Sequence, residues 1–186
     1  MLTGGDISHN NFPFEVEFGE FQIYKATEGR TWVDPKFAEY MSQRKNGEPM
    51  AFYHFARPEN RGNTARLEAE NFVATVKPWI GKAIFVLDWE GNALQCSADY
   101  ALEWLQIVEE LTGVKPIIYT SSSGTAKLRK VAQAGYELWV AHYNTSAPKI
   151  HYFKDWLMWQ FTSKPFDVDL FKGTVEDWNK RCRSNL

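Results

Sequence analysis

The stretch AIFVLDWEGN, residues 83–92, climbs through four apolar residues, Ile84, Phe85, Val86 and Leu87, and stops at Asp88, with Glu90 two positions on. A continuous apolar run of strand length predicts a strand covered on both faces, as in a parallel sheet, rather than the alternating pattern of a half-exposed antiparallel strand. Side chains at i and i+2 of a strand share a face, with Cα atoms about 6.5 Å apart at roughly 3.3 Å rise per residue. The strand end therefore aims two carboxylates the same way. Each disfavours ionisation of the other, so one of them, most simply Glu90, is expected to hold its proton near neutral pH. Taken alone, D-x-E also fits a strand-end cap beside a surface acid, and the rest of the chain has to decide between the two.

Working outward, similar runs recur at Gly4–Ser8, Phe21–Gly29, Met50–Arg57, Ala83–Glu90, Lys115–Thr120, Glu137–Tyr143, Trp156–Thr162 and Asp167–Phe171, which makes eight predicted strands. Helical patterns lie between several of them. Asp34–Asn46 has Asp34 as N-cap, Pro35 at the first helical position and Gly47 as a stop. Asn63–Lys77 repeats Ala65, Ala69, Phe72, Val73 and Val76 at spacings of three and four. Ser97–Thr112 carries Ala101, Leu105, Val108 and Leu111 on one stripe and stops before Gly113. Ser122–Ala134 is weaker and ends at Gly135; Val175–Cys182 completes the set. Strands alternating with helices imply parallel pairing, and eight strands suggest closure, although the last three are joined by loops too short for helices. The expected fold is α/β, an irregular TIM-like β/α barrel with about eight strands and five helices, in a single domain over residues 1–186. A flat doubly wound sheet is the alternative.

Bulk properties narrow the function. A chain of 186 residues is long enough for one sizeable core. Aromatics make up 16%, with eight Trp, which suits sugar or base stacking as well as an ordinary core. The net charge is −2 and no basic block occurs, so no nucleic-acid partner is expected. Cys96 and Cys182 lie far apart and have no metal-type spacing; free thiols are the plain reading and one disulfide the alternative. MLTGGDISHNN at the start has neither a basic n-region nor an apolar h-region, and no run is long enough to span a membrane. The expectation is cytoplasmic synthesis without a signal peptide and without membrane insertion, so a protein acting outside the cell needs holin-type release or another secretion route. A monomer is expected.

In a β/α barrel the chemistry sits at the C-terminal ends of the strands. The polar residues gathered there are Asp6, Lys25, Glu28, Tyr53, His54, Asp88, Glu90, Tyr119, His142, Tyr143, Gln160, Asp167 and Asp169. Acids converging on one rim cost free energy, which favours a chemical role over a structural one. A protonated carboxyl beside an ionised one is what glycosidic bond cleavage needs: an acid for the leaving oxygen and an anion for developing positive charge. Tyr53 and Tyr119 fit hydroxyl donors to a substrate or core rings with wet tips. Trp139 and Trp159 fit sugar-stacking faces or core, and Gln160 fits a sugar-hydroxyl contact. Lys25 and Glu28 read as an ion pair steadying the rim. His54 and His142 lack metal-ligand spacing and read as hydrogen-bonded rim or core residues, so neither a metal nor a cofactor is expected.

Eight blocks, in order, carry a resemblance: D-I-S at 6–8, K-A-T-E-G at 25–29, Y-H-F-A at 53–56, D-W-E at 88–90, I-Y-T at 118–120, L-W-V-A-H-Y at 138–143, W-Q-F-T at 159–162 and D-V-D-L-F-K-G-T at 167–174. Together they resemble glycoside hydrolase family 25, the muramidase-type lysozymes of phage endolysins, bacteria and fungi. The resemblance spans nearly the whole chain. It implies an irregular β/α barrel and hydrolysis of the β-1,4 bond from N-acetylmuramic acid to N-acetylglucosamine, with bacterial peptidoglycan as the partner and substrate. It implies Glu90 as general acid, Asp88 as its partner on the same strand, Asp6 as the acid of the first strand, and Asp167 or Asp169 as the last. Aligning Phe171, Gly173 and Thr174 with the family's D-x-N-x-F-x-G-T favours Asp167 and leaves Asp169 on the following polar position. The approach FTSKPFDVD is shorter than the family's usual Gly-rich one. Because Asp88 and Glu90 come from one strand, the expected mechanism is substrate-assisted, with the 2-acetamido group as nucleophile and Tyr119 holding its oxygen. Two competing readings are a glycosidase for chitin-like N-acetylated glycans and a catalytically silent glycan-binding module.

Overall fold

All eight apolar runs form strands, and among the described residues a ninth, very short strand accompanies them. The structure, a computed structural model, describes residues 1–11, 19–44 and 46–185. The strands are β1 (Leu2–Ile7), β2 (Phe21–Glu28), β3 (Trp32–Val33), β4 (Met50–Phe55), β5 (Ile84–Asp88), β6 (Ile117–Ser121), β7 (Leu138–Ala141), β8 (Met158–Thr162) and β9 (Val168–Phe171). Parallel pairings run β1–β2–β4–β5–β6–β7–β8. β9 then fills the gap between β8 and β1 and closes an eight-stranded barrel, while β3 hangs on the rim of β2.

The expectation of parallel pairing fails at β9, which runs antiparallel to both neighbours. Residues 163–167 are too few for the crossover that a parallel strand requires, so the chain turns back as a hairpin. This reversal matters for the site. The start of β9, not its end, lies on the rim where the parallel strands finish.

The two faces of each strand build two cores. Ile23, Ala51, Ile84, Val86, Ile117 and Met158 point into the barrel, and Phe21 and Phe171 close its lower end. Phe52, Phe85, Leu87, Ile118 and Leu138 point outward against Phe72, Trp104, Leu105 and Val108 of the helical layer. Both faces of β5 are thus buried, which is why its sequence is continuous rather than alternating. Asp88 lies two residues beyond Val86 and so faces the barrel axis.

Among the described residues, five α-helices cover the strands: α1 (Phe37–Gln43), α2 (Ala65–Val76), α3 (Ala98–Thr112), α4 (Arg129–Gln133) and α5 (Val175–Cys182). Helix α3 follows its sequence signals closely. Ser97 accepts from the Asp99 N–H at 3.2 Å, and Gly113 ends the helix at φ 66°, a left-handed conformation that glycine adopts without cost. A capping box of Thr174 and Asp177 opens α5. Trp178 on α5 packs 4.7 Å from Phe21 and 4.8 Å from Phe171, and its indole N–H donates to the Met50 carbonyl, so the helix stoppers the lower end.

Two helices depart from expectation. Asp34 does not cap α1, which starts at Phe37; its carboxylate accepts from Lys36 N–H and from the backbone and ring of His9 instead. Lys45, inside the expected helix, lies outside the described residues. Ser122–Ala134 breaks into a 3₁₀ turn at Gly124–Lys127 followed by α4. Gly124 is jammed against Thr120, where a Cβ would sit 2.2 Å from the hydroxyl, so the chain is pinned to the barrel before an α-helix can begin. Both cysteines are free thiols. No helix among the described residues is long and apolar enough to cross a membrane.

Candidate active site

A cleft of about 300 Å³ opens at the rim, lined by Asp6, Asp88, Glu90 and Asp167 together with Tyr53, Tyr119, Trp139 and Gln160. Asp88 ends β5. Glu90 follows with extended backbone (φ −142°, ψ −173°), so strand alternation continues past the last ladder bond and both carboxyls reach the same space. Trp89 between them points the other way and is fully buried. Asp167 reaches the cleft because β9 runs backwards.

Asp169 does not line the cleft. It lies opposite Gly4 and Gln160 in the ladder and is wholly buried. One oxygen accepts from the Trp139 indole N–H at 2.8 Å, and the other is buried without a donor among the described residues. Two carboxyls as close as Asp169 and Asp6 are accommodated best with a proton between them. Burial, then the Asp6 charge, pushes Asp169 well above the ordinary carboxylate range, which favours its neutral form. Gln160 grips Asp6 from the other side: its Nε2 donates to Asp6 Oδ2 at 2.6 Å, while its Oε1 accepts from the Tyr119 and Tyr143 hydroxyls, both at 2.9 Å. Gln160 and Trp139, expected to touch sugar, line the cleft and also brace the acids: Gln160 holds Asp6 and the two tyrosine hydroxyls, and the Trp139 N–H holds Asp169, with 2% of Trp139 exposed.

The acids perturb one another as their crowding requires. Burial, with the Asp167 charge next, pushes Asp6 up to about 7, against the pull of its Gln160 hydrogen bond. Burial and then Asp167 raise Glu90, and burial raises Asp167 itself. Asp88 is driven well above its usual value by burial first and by Glu90 second, with the Lys25 ammonium opposing. The simple division expected from sequence, a proton on Glu90 and a charge on Asp88, is therefore not what burial favours: Asp88 is the deeper of the two. Asp88 Oδ1 is buried and has no hydrogen-bond partner among the described residues.

Lys25 takes the steadying position expected of it. Its Nζ pairs with Glu28 at 2.7 Å and lies 5.0 Å from the ring centres of both Trp32 and Phe55. His54 is a core residue. Burial holds it below the ordinary histidine value, Nδ1 meets the Thr27 hydroxyl at 2.7 Å, and Nε2 meets Glu68 at 2.9 Å. The His142 ring lies 6.4 Å from that of Trp159, whose indole N–H bonds the His142 carbonyl. No cluster among the described residues has the ligands to hold a metal ion. Ser8, Asn10, Asn11 and Phe55, without a role expected from the sequence, also line the cleft. Their only signal is position, just past or at the end of a strand. Tyr143 stood among the rim residues without a role, and its bond to Gln160 supplies one.

The model of the family described as "Glycosyl hydrolases family 25" matches residues 5–170. The chain belongs to that family. Among curated relatives, the "Uncharacterized protein YegX" of Escherichia coli K12 is 33% identical over 174 residues, covering 85% of this chain and 61% of that protein. The lysozyme of Streptococcus phage Cp-7 is 30% identical over 162 residues, covering 80% of this chain and 45% of that one. The chain thus spans about six-tenths of the first and under half of the second. A family 25 lysozyme from Aspergillus fumigatus superposes with a TM-score of 0.83 at 26% identity, covering 99% of both chains.

Within this family 25 chain Asp167, just before β9, and Asp169, within it, are separable by experiment. Asp167→Asn is expected to lower turnover well below that of Asp169→Asn, because Asp167 stands in the cleft and Asp169 behind it. An amide at 169 can still donate to Asp6, as a protonated acid can. Matched kinetics on the two purified variants decide; the reverse order would move the last rim acid to Asp169.

Proposed function

We propose that this barrel is a peptidoglycan hydrolase of the muramidase type, cleaving the β-1,4 bond from N-acetylmuramic acid to N-acetylglucosamine. The observation that carries the reading is the pairing of Glu90, a carboxyl pushed toward its neutral form, with Asp88 Oδ1, a buried acceptor without a partner among the described residues, in one cleft. Family membership and the lysozyme among its relatives support it.

In this reading Glu90 donates its proton to the glycosidic oxygen as the bond to the anomeric carbon breaks. The acetamido oxygen of the same sugar forms the new bond to that carbon, giving an oxazolinium ion. Asp88, drawn to its anion by the growing positive charge and by nearby Lys25, accepts the acetamido N–H. Tyr119 can turn its hydroxyl from Gln160 to the acetamido oxygen. Glu90, now a carboxylate, takes a proton from water as that water attacks the anomeric carbon and reopens the ring, with net retention. Asp6 and Asp167 supply the negative field that stabilises the cationic transition state.

The test uses cell-wall peptidoglycan and its chemically de-N-acetylated form, with product anomers followed by NMR and chitin oligomers assayed in parallel. Cleavage of the acetylated wall with retention, and near loss of cleavage without the acetyl group, is the expected result. Efficient cleavage of the de-acetylated wall or an inverted first product would refute substrate assistance. Preference for chitin would shift the substrate, and no hydrolysis of any glycan would leave a binding module.

A further inference from the structure

Next to the acidic cleft lies a second, larger cavity of about 530 Å³ with the opposite electrostatic character. Its walls include Arg30, Arg57 and Arg61, with Trp32 as a flat side, and Glu28 is the only acid among them. Glu28 is already spent. One of its oxygens takes Lys25 at 2.7 Å and the other takes Arg57 Nε at 2.7 Å, and these partners hold it below the ordinary carboxylate range against its burial. Arg57 is further fixed by stacking 4.5 Å over Phe55. Arg30 bonds only a neutral group, the Gly62 carbonyl at 3.0 Å. Arg57 also pairs with Glu59 at 3.4 Å, and Arg61 is exposed, with no ion pair or hydrogen bond among the described residues. Two guanidiniums therefore face this cavity without a counter-charge among the described residues.

The two cavities share a wall. Lys25 lines the acidic cleft and Arg57 the basic cavity, and Glu28 bridges them. Trp32 lines the basic cavity and lies under Lys25 at 5.0 Å. A ligand spanning both must present a neutral or cation-forming part to the four acids and an anionic branch to the arginines. The muramic acid of peptidoglycan has that form: a neutral glycan carrying, on its lactyl ether, a short peptide with free carboxylates.

We propose that the Arg30–Arg61 cavity binds the carboxylates of the substrate's peptide branch, an inference that rests on the peptidoglycan reading of the acidic cleft. Guanidinium groups suit this ligand because their planar fork matches a carboxylate in two parallel hydrogen bonds. Charge separation between the cavities also sets the direction in which the glycan lies, since the peptide is repelled from the acids and drawn to the arginines.

The experiment compares two substrates made from one wall preparation freed of its secondary anionic polymers: peptide-bearing glycan strands, and the same strands stripped of peptide by an amidase. Wild-type enzyme is set beside Arg30→Ala/Arg61→Ala and Arg61→Lys, with a thermal melt of each. A charge-assisted hydrogen bond is worth roughly a factor of ten in affinity. The double variant is expected to raise KM on peptide-bearing strands about 10-fold, to leave kcat and the activity on stripped strands at wild-type values, and to melt normally; Arg61→Lys recovers part of the loss. Equal effects on both substrates, or no effect on either, would overturn the proposal. If the wild type cleaves neither, the hydrolase reading falls, and this assignment with it.

Discussion

Glu90→Gln is expected to lower peptidoglycan turnover about 10²–10⁴-fold, the usual cost of losing a general acid, while the protein stays folded. Glutamine keeps the size and the hydrogen-bonding shape of a protonated glutamic acid but has no proton to give to a leaving oxygen. The fold asks little of this side chain. The hydrogen bond that Glu90 contributes locally is its backbone carbonyl, which accepts from the Ala93 N–H at 3.1 Å, and its carboxyl stands half-exposed in the cleft. Turnover and thermal melting measured on the same preparation separate chemistry from stability. A folded variant with near-normal turnover would remove Glu90 from the mechanism.

Glu68→Ala should strike at the opposite property. Glu68 on α2 is wholly buried, and its carboxylate accepts from His54 Nε2 at 2.9 Å, from Asn63 Nδ2 at 2.7 Å and from the Arg57 backbone N–H at 3.2 Å. Alanine leaves these donors unpaired in a space that the carboxylate filled. Each unmet donor costs about 1–3 kcal/mol, so the loss of stability is expected to be about 3–5 kcal/mol, a large part of what holds a typical domain together. Urea unfolding reads it as a fall in midpoint at unchanged slope. A loss under about 1 kcal/mol would mean that the loop from Arg57 to Asn63 relaxes and re-pairs those donors.

The strands were readable because burial on two faces leaves an unbroken apolar signature, as in β5. Helix α5 was legible in its bounds, Val175–Cys182, whereas its capping box and its Trp178 anchor emerged only in the fold. β3 is two exposed residues on a rim and has no periodicity to detect. The reversal of β9 was implicit in the short connection at residues 163–167, but direction is a property of pairing and not of composition. In the site, the acids were found because they end strands, and Asp88 with Glu90 because spacing alone puts them on one face. Which acid carries the proton was not legible, since it depends on depth, and depth is set by elements far along the chain. The bond from Gln160 to Asp6 joins residues 154 positions apart, and no local pattern announces it.

The antiparallel β9 has a further consequence for when this protein becomes competent during its own synthesis. β1, which carries Asp6, finds its second neighbour only when β9 has been made, and β9 follows directly on Asp167. A nascent chain that has emerged as far as β8 can pair its parallel strands in sequence, yet it lacks the final acid, and with it Asp169 and the staple that joins the first strand to the last. Contacts between such distant segments are the slowest to form because the chain must first close a long loop. The four acids therefore come together last, and a nearly finished barrel emerges from the ribosome before its rim of acids is complete.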